Sequence, residues 1–379
     1  MKDKIVTIIP SLYEGGAEKF AADLSMHLSK VFDHTTIVYN QTKDTYSHSG
    51  KLIELDIPQK TTLLVKLWRQ IRIIKRLKRI KKKEQPKVVI SHMLMANMLN
   101  ILSRKNEFTV CVLHGEWSIK TGRSSLVKWF VKQQYKKADQ IISVSQYIKD
   151  MFDTHYELDV THDVIHIGVP ILEVEKKAMQ SIDLQLPDRY LVYVAGFRPV
   201  KNHTQLLDQL EGYLKSNDIS LVFVGDGPLR GAIEKQILEK ELSEKVVLLG
   251  NLTNPYPVIK KAKLSLLVSS SESFSLVVVE SMALGVPVIA TDCGGPRELI
   301  APDWNNESQL PYESDFGVLI PSIEAWEPNT LGTQIDWLLT DETKWQLLSE
   351  KGRERAKRFS ITHTEKHFEE LLHNLIQQK

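Results

Sequence analysis

Residues 269–298 read SSSESFSLVVVESMALGVPVIATDCGGPRE. An apolar run, residues 264–268, precedes them and has the length and composition of a buried strand. A polar loop follows, and a helix is expected to begin near Ser275. The free amides and positive dipole end of that helix would point at the carboxyl edge of a sheet, where an anion binds well. Glu272 sits in the loop, and Glu280 lies about a turn and a half inside the helix, its side chain leaning back towards the N-terminus. Carboxylates at these two places can accept hydrogen bonds from sugar hydroxyls. A second apolar run, residues 287–291, then leads to the Gly294-Gly295 pair.

Working outward, short apolar runs alternate with helical patterns from end to end, the signature of parallel sheets wrapped by helices. Strands are expected at residues 4–9, 35–39, 88–91, 109–113 and 140–144, and again at 190–195, 220–224, 246–249, 264–268, 287–291 and 317–320. Between them, Ala17, Phe20, Ala21, Leu24 and Leu28 mark one face of a helix. A chain of 379 residues exceeds one ordinary core. The polar, charged stretch from Gly168 to Pro187 suits a boundary, giving an α/β chain of two domains, 1–170 and 171–379. The last helix, from Thr362 to Gln377, is a candidate to pack back on the first.

Composition narrows the class. Hydrophobic residues make up 42% and charged residues 25%, as in a soluble globular protein. No apolar run approaches a bilayer span, and the N-terminal run is too short for a signal peptide. The two cysteines, Cys111 and Cys293, lack metal-ligand spacing, so reduced thiols and a cytoplasmic location are expected. The formal charge of +2 divides into +10 over residues 1–170 and −8 over 171–379. Such asymmetry points to an anionic partner for the first half.

Further motifs stand at strand ends. Val194-Ala-Gly-Phe-Arg198-Pro-Val-Lys201 follows the strand at 190–195, and two cations there suit a diphosphate leaving group. Val224-Gly225-Asp-Gly-Pro follows the strand at 220–224. Gly15-Gly16 joins the first strand to the first helix, without the dinucleotide-binding G-x-G-x-x-G pattern. His92 and His114 each end a strand of the first half.

The Glu272-x7-Glu280 spacing, the Gly285-Val-Pro-Val turn and the Gly294-Gly-x-x-Glu298 end together resemble the GT-B retaining glycosyltransferase family 4. The resemblance runs over most of the chain. It implies a GT-B fold, two Rossmann-like domains facing each other across a cleft, and a nucleotide-sugar donor. It gives Glu272 the donor sugar and Glu280 the ribose, with backbone amides around Phe274, Ser275 and Leu276 on the diphosphate or sugar. Lys201 falls on the family's lysine, whereas Gly196 occupies the usual arginine position and Arg198 lies two residues later. Gly225 would shape the nucleotide pocket, Asn251 would meet the base and Gly16 the donor. His114 would contact the donor sugar, and His92 would help form the acceptor site. One departure is plain: the usual Glu-Gly-Phe-Gly is Glu272-Ser-Phe-Ser here, which narrows the loop where sugar preference is set.

No Asp-x-Asp pair occurs, so a metal site is not expected, and cations and a helix dipole would stabilise the departing diphosphate. The implied chemistry is transfer with retention, by front-face displacement, to a glycan or lipid-linked acceptor in surface polysaccharide synthesis. An epimerase or phosphorylase of the same fold, or a non-catalytic sugar-nucleotide binder, is the competing reading. The run from Leu63 to Lys83 carries ten basic residues, no acidic ones, and Trp68. It reads as a helix docked on a sheet with its basic face towards an anionic membrane surface. Nucleic acid is disfavoured because aromatic interleaving is sparse and no binding motif accompanies it.

Overall fold

A computed structural model describes residues 2–13, 15–40, 46–55, 63–116, 125–305, 309–327 and 329–378. The side chains of residues 63–69, Trp68 among them, lie outside that description. The chain divides into two compact units, Met1–Gly168 with Thr362–Lys379, and Val169–Ile361.

The first unit holds β1 (Lys4–Ile9), β2 (Asp33–Val38), β3 (Lys51–Glu54), β4 (Val88–His92), β5 (Phe108–Leu113), β6 (Gln140–Ser143) and β7 (His162–Val164). They form one sheet in the order β3-β2-β1-β4-β5-β6-β7, every pair parallel. The second unit holds β8 (Tyr190–Val194), β9 (Ser220–Val224), β10 (Val246–Leu248), β11 (Leu264–Leu267), β12 (Val288–Thr291), β13 (Tyr312–Glu313) and β14 (Val318–Ile320). Their order is β10-β9-β8-β11-β12-β14-β13, with only the β13–β14 pair antiparallel. Each unit is thus a doubly wound Rossmann-like sheet.

The central strands appear where apolar runs predicted them, because helices bury both faces of a parallel sheet. Val88–Ile90, for example, are all fully buried. The edge strands β3 and β13 escape that signal. They are short, polar and not buried, so no continuous apolar run marks them.

The basic run forms the helix Leu63–Glu84. Ile73 and Leu77 pack with Val6, Ile8 and Val89 in the core. Lys81 turns inward as well: its ammonium stands 2.7 Å from Glu107, with the two side chains 0% and 2% exposed. It also donates to the carbonyl of Asn100 at 3.0 Å and to its side-chain oxygen at 2.8 Å. Burial holds the Lys81 ammonium down at about 8 despite the Glu107 carboxylate beside it. The lysine therefore locks the helix to Asn100 and Glu107 beside it, and the exposed basic face is formed by others, such as Arg72, Lys75, Lys78 and Arg79. Among the described residues, no helix is long and apolar enough to cross a membrane. Both cysteines are free and buried, and burial pushes each thiol up to about 12.

Candidate active site

In the second sheet the chain winds outward from β8 to β10 and then returns to place β11 on the other side of β8. That reversal parts the loops leaving the carboxyl ends of β8 and β11, and open α/β sheets bind ligands at such a point. The two loops carry the residues singled out from sequence. Their backbones are clasped: the Ser270 amide donates to the Val200 carbonyl at 2.9 Å, and the Asn202 side chain donates to the Val268 carbonyl at 2.8 Å.

Across this clasp the Lys201 ammonium donates to Oε1 of Glu272. The same oxygen accepts from the Ser269 hydroxyl at 2.9 Å. Tyr193, rising from β8, donates its hydroxyl to the Lys201 carbonyl at 2.7 Å and stands 3.5 Å from Ser269 Oγ. The acid and the lysine are both mostly buried, so their charges meet in a poorly hydrated place where each strengthens the other. His203, two residues on from Lys201, packs among the rings of Tyr193, Phe197 and Phe223. Burial, and then the Lys201 charge, hold it down at about 4, so it stays neutral.

The helix starts one residue beyond its expected position, as Leu276–Ala283. Ser275 caps it at φ 80°, a backbone conformation that L-residues rarely adopt. Phe274 is buried against Phe359 at 5.6 Å and pins the loop from beneath. The Glu272 amide donates to the Cys293 carbonyl, and the Gly295 amide donates back to the Glu272 carbonyl, both at 2.9 Å. A Cβ on Gly295 would stand 2.3 Å from the Ser273 carbonyl oxygen and 2.5 Å from the Phe274 nitrogen. The glycine is therefore needed for the loop to close over this strand end. Glu280 is half-buried on the helix and accepts from the Tyr256 hydroxyl at 3.1 Å.

The remaining second-unit candidates divide. Gly225 is structural: a Cβ there would lie 2.1 Å from the Ala195 carbonyl oxygen, so this turn must be glycine for the two strand ends to approach. Arg198 is exposed and makes no ion pair among the described residues, whereas Lys201 is bound to Glu272. Asn251 is exposed in the loop after β10.

In the first unit the equivalent reversal lies between β1 and β4. Nδ1 of His92, at the end of β4, stands 2.9 Å from Nε2 of His114, just beyond β5. Phe20 meets both rings edge-on, at 5.9 and 5.6 Å. Burial keeps His114 down at about 3 and His92 well below its ordinary value, so both are neutral imidazoles with one proton shared between the facing nitrogens. Gly16 opens the helix Gly16–Val31, exposed, with nothing within 4 Å of where a Cβ would stand.

Comparison with known proteins identifies the family. Residues 174–355 match the family model described as glycosyl transferases group 1, and residues 14–171 match that of glycosyltransferase family 4. The chain belongs to this glycosyltransferase family. Its relatives include an N-acetylgalactosaminyltransferase of Campylobacter jejuni acting on N-acetylgalactosamine-N,N'-diacetylbacillosaminyl-diphospho-undecaprenol. That protein is 28% identical over 70% of this chain and 69% of its own. The N-acetyl-alpha-D-glucosaminyl L-malate synthase of Bacillus anthracis is 23% identical over 70% and 67%. Among solved structures, a glycosyltransferase from Rickettsia africae matches with TM-score 0.82 at 18% identity over the whole of both chains. Anabaena HepE in complex with UDP and glucose matches with TM-score 0.74 at 18% identity, over 97% of this chain and 98% of its own. The fold is GT-B. The candidate site also contains groups without a sequence signature. Ser269 lies three residues from its partner Glu272, whereas the partners of Tyr193 and Tyr256 are 8 to 76 residues away in the chain.

Proposed function

We propose that this glycosyltransferase moves a sugar from a nucleoside-diphosphate donor, with retention and without a metal, to a lipid-linked or surface glycan. The observation that carries the reading is the Lys201–Glu272 pair at the carboxyl edge of β8 and β11, beside the start of the helix Leu276–Ala283. A lysine there can neutralise the leaving diphosphate, and the amides of Ser275 and Leu276 can receive its oxygens. Glu272, already positioned by Ser269, accepts hydrogen bonds from the sugar hydroxyls, and Glu280 from the ribose. Arg198, exposed on the same loop, adds charge towards the phosphates. In the step itself the bond from the anomeric carbon to the diphosphate oxygen breaks. The acceptor oxygen bonds to the same face of that carbon, and its proton passes to the departing phosphate. His114 is neutral and offers a hydrogen bond to the donor sugar, and His92 orients it from the acceptor side. Asn251 and Gly16 would complete the donor contacts.

The C. jejuni relative's acceptor is a diphospho-undecaprenol, which supports a lipid-linked acceptor here. The exposed basic face of the helix Leu63–Glu84 supports attraction to an anionic membrane surface on the cytoplasmic side. A panel of UDP-, GDP- and ADP-sugars, screened by thermal shift and then by transfer to a lipid-linked glycan, tests the reading. One donor should raise the unfolding midpoint, and Glu272→Ala should lower kcat by at least ~10²-fold with the fold intact. Undiminished turnover in folded Glu272→Ala protein would overturn the assignment.

A further inference from the structure

The helix Ser125–Tyr135 presents an exposed apolar face. Residues 125–130 are exposed, whereas Val131, Gln134 and Tyr135 are buried against the unit. Leu126 is 76%, Trp129 61% and Phe130 42% exposed. Their spacing of three and four residues places them on one stripe of the helix. Three large apolar side chains so displayed are costly in water and call for a partner.

Topology shows what lies beside them. The connections β3 to β4, β4 to β5 and β5 to β6 all step across the sheet in one direction, so right-handed crossovers set their helices on one face. The helix Leu94–Leu102 accordingly packs against both the basic helix Leu63–Glu84 and the helix Ser125–Tyr135. The apolar stripe therefore shares a layer with the exposed Arg72, Lys75 and Arg79. Residues 125–138 themselves contain four lysines and no acid. The first turn of the helix Ser125–Tyr135 also lies at the carboxyl edge of the sheet, the edge that bears His92 and His114. Apolar and aromatic side chains flanked by lysines complement an anionic lipid surface.

We propose that Leu126, Trp129 and Phe130 insert into the headgroup region of an anionic bilayer, while the basic helix of the same layer lies along the phosphates. The proposal extends the membrane part of the reading above by naming the element that enters the lipid. Because it is tested without donor or turnover, its failure is separate from failure of the transferase assignment. Vesicles of phosphatidylcholine, with and without phosphatidylglycerol, are floated with the full-length protein. The protein should float with the phosphatidylglycerol vesicles, and brominated acyl chains should quench a part of its tryptophan fluorescence that Trp129→Phe removes. The variant Leu126→Ser/Trp129→Ser/Phe130→Ser should keep its circular dichroism and unfolding midpoint, yet lose at least about tenfold in partitioning. Replacing Arg72, Lys75 and Arg79 by Ser should weaken flotation and its salt dependence while leaving the quenching of the bound fraction. Absence of flotation, full binding by the triple Ser variant, or a wild-type dimer in solution that the triple variant abolishes would each overturn it.

Discussion

Gly295→Ala tests whether the loop that carries Glu272 is set by the close approach of two strand ends. The added Cβ would stand 2.3 Å from the Ser273 carbonyl oxygen and 2.5 Å from the Cα and nitrogen of Phe274. All three atoms are backbone, so no side chain can swing aside. To restore even a 3.0 Å contact, the loop must retreat by about 0.7 Å. That retreat pulls on the reciprocal bonds between Glu272 and the 293–295 backbone, and Glu272 leaves Lys201 and Ser269 with it. Overpacking of this kind costs about 1–3 kcal/mol. A misplacement approaching 1 Å lowers kcat by up to about 10²-fold. Equilibrium urea unfolding and steady-state transfer, measured on the same preparations, should show both losses. Gly212→Ala, in the helix His203–Ser216, is the control, since nothing lies within 4 Å of a Cβ at that position and alanine should stabilise slightly. A Gly295→Ala enzyme with native midpoint and native kcat would refute the reasoning.

Other outcomes follow from the same structure. Lys81→Ala should destabilise the first unit by about 3–5 kcal/mol in urea, because it strands the buried Glu107 carboxylate, and adding Glu107→Gln should recover part of the loss. Ser275→Gly, which relieves a φ of 80°, should leave stability unchanged or raise it by up to about 1 kcal/mol, while Ser275→Val should lower it. The buried His34 is held down at about 4 from 6.5, so below pH 6.5 the unfolded chain takes up a proton that the folded chain refuses. At pH 5 this group alone withdraws about 2 kcal/mol, and the loss continues until the pH falls through about 4. The urea midpoint should therefore drop steadily between pH 6.5 and 4, and His34→Gln should flatten the slope.

What the linear chain determined was the sequence of buried strands, the helix start after Ser275 and the two acids that flank it. These are local properties: strand and helix periodicity, and residue types at fixed spacing, survive in one dimension. The family resemblance rests on the same short-range order. Tertiary structure alone decided the pairings. Lys201 meets Glu272 because the reversal between β8 and β11 brings two strand ends together across 71 residues. His92 faces His114 because β4 and β5 are neighbours in register. The two tracts of basic and apolar residues show the limit most clearly. From sequence, the run from Leu63 to Lys83 was the whole membrane argument, with all ten cations equivalent. In the fold Lys81 is swallowed by the core, whereas Leu126, Trp129 and Phe130, unremarked in the chain, stand in solvent. Helical spacing tells which residues share a face, but only the neighbouring layer decides whether that face is covered.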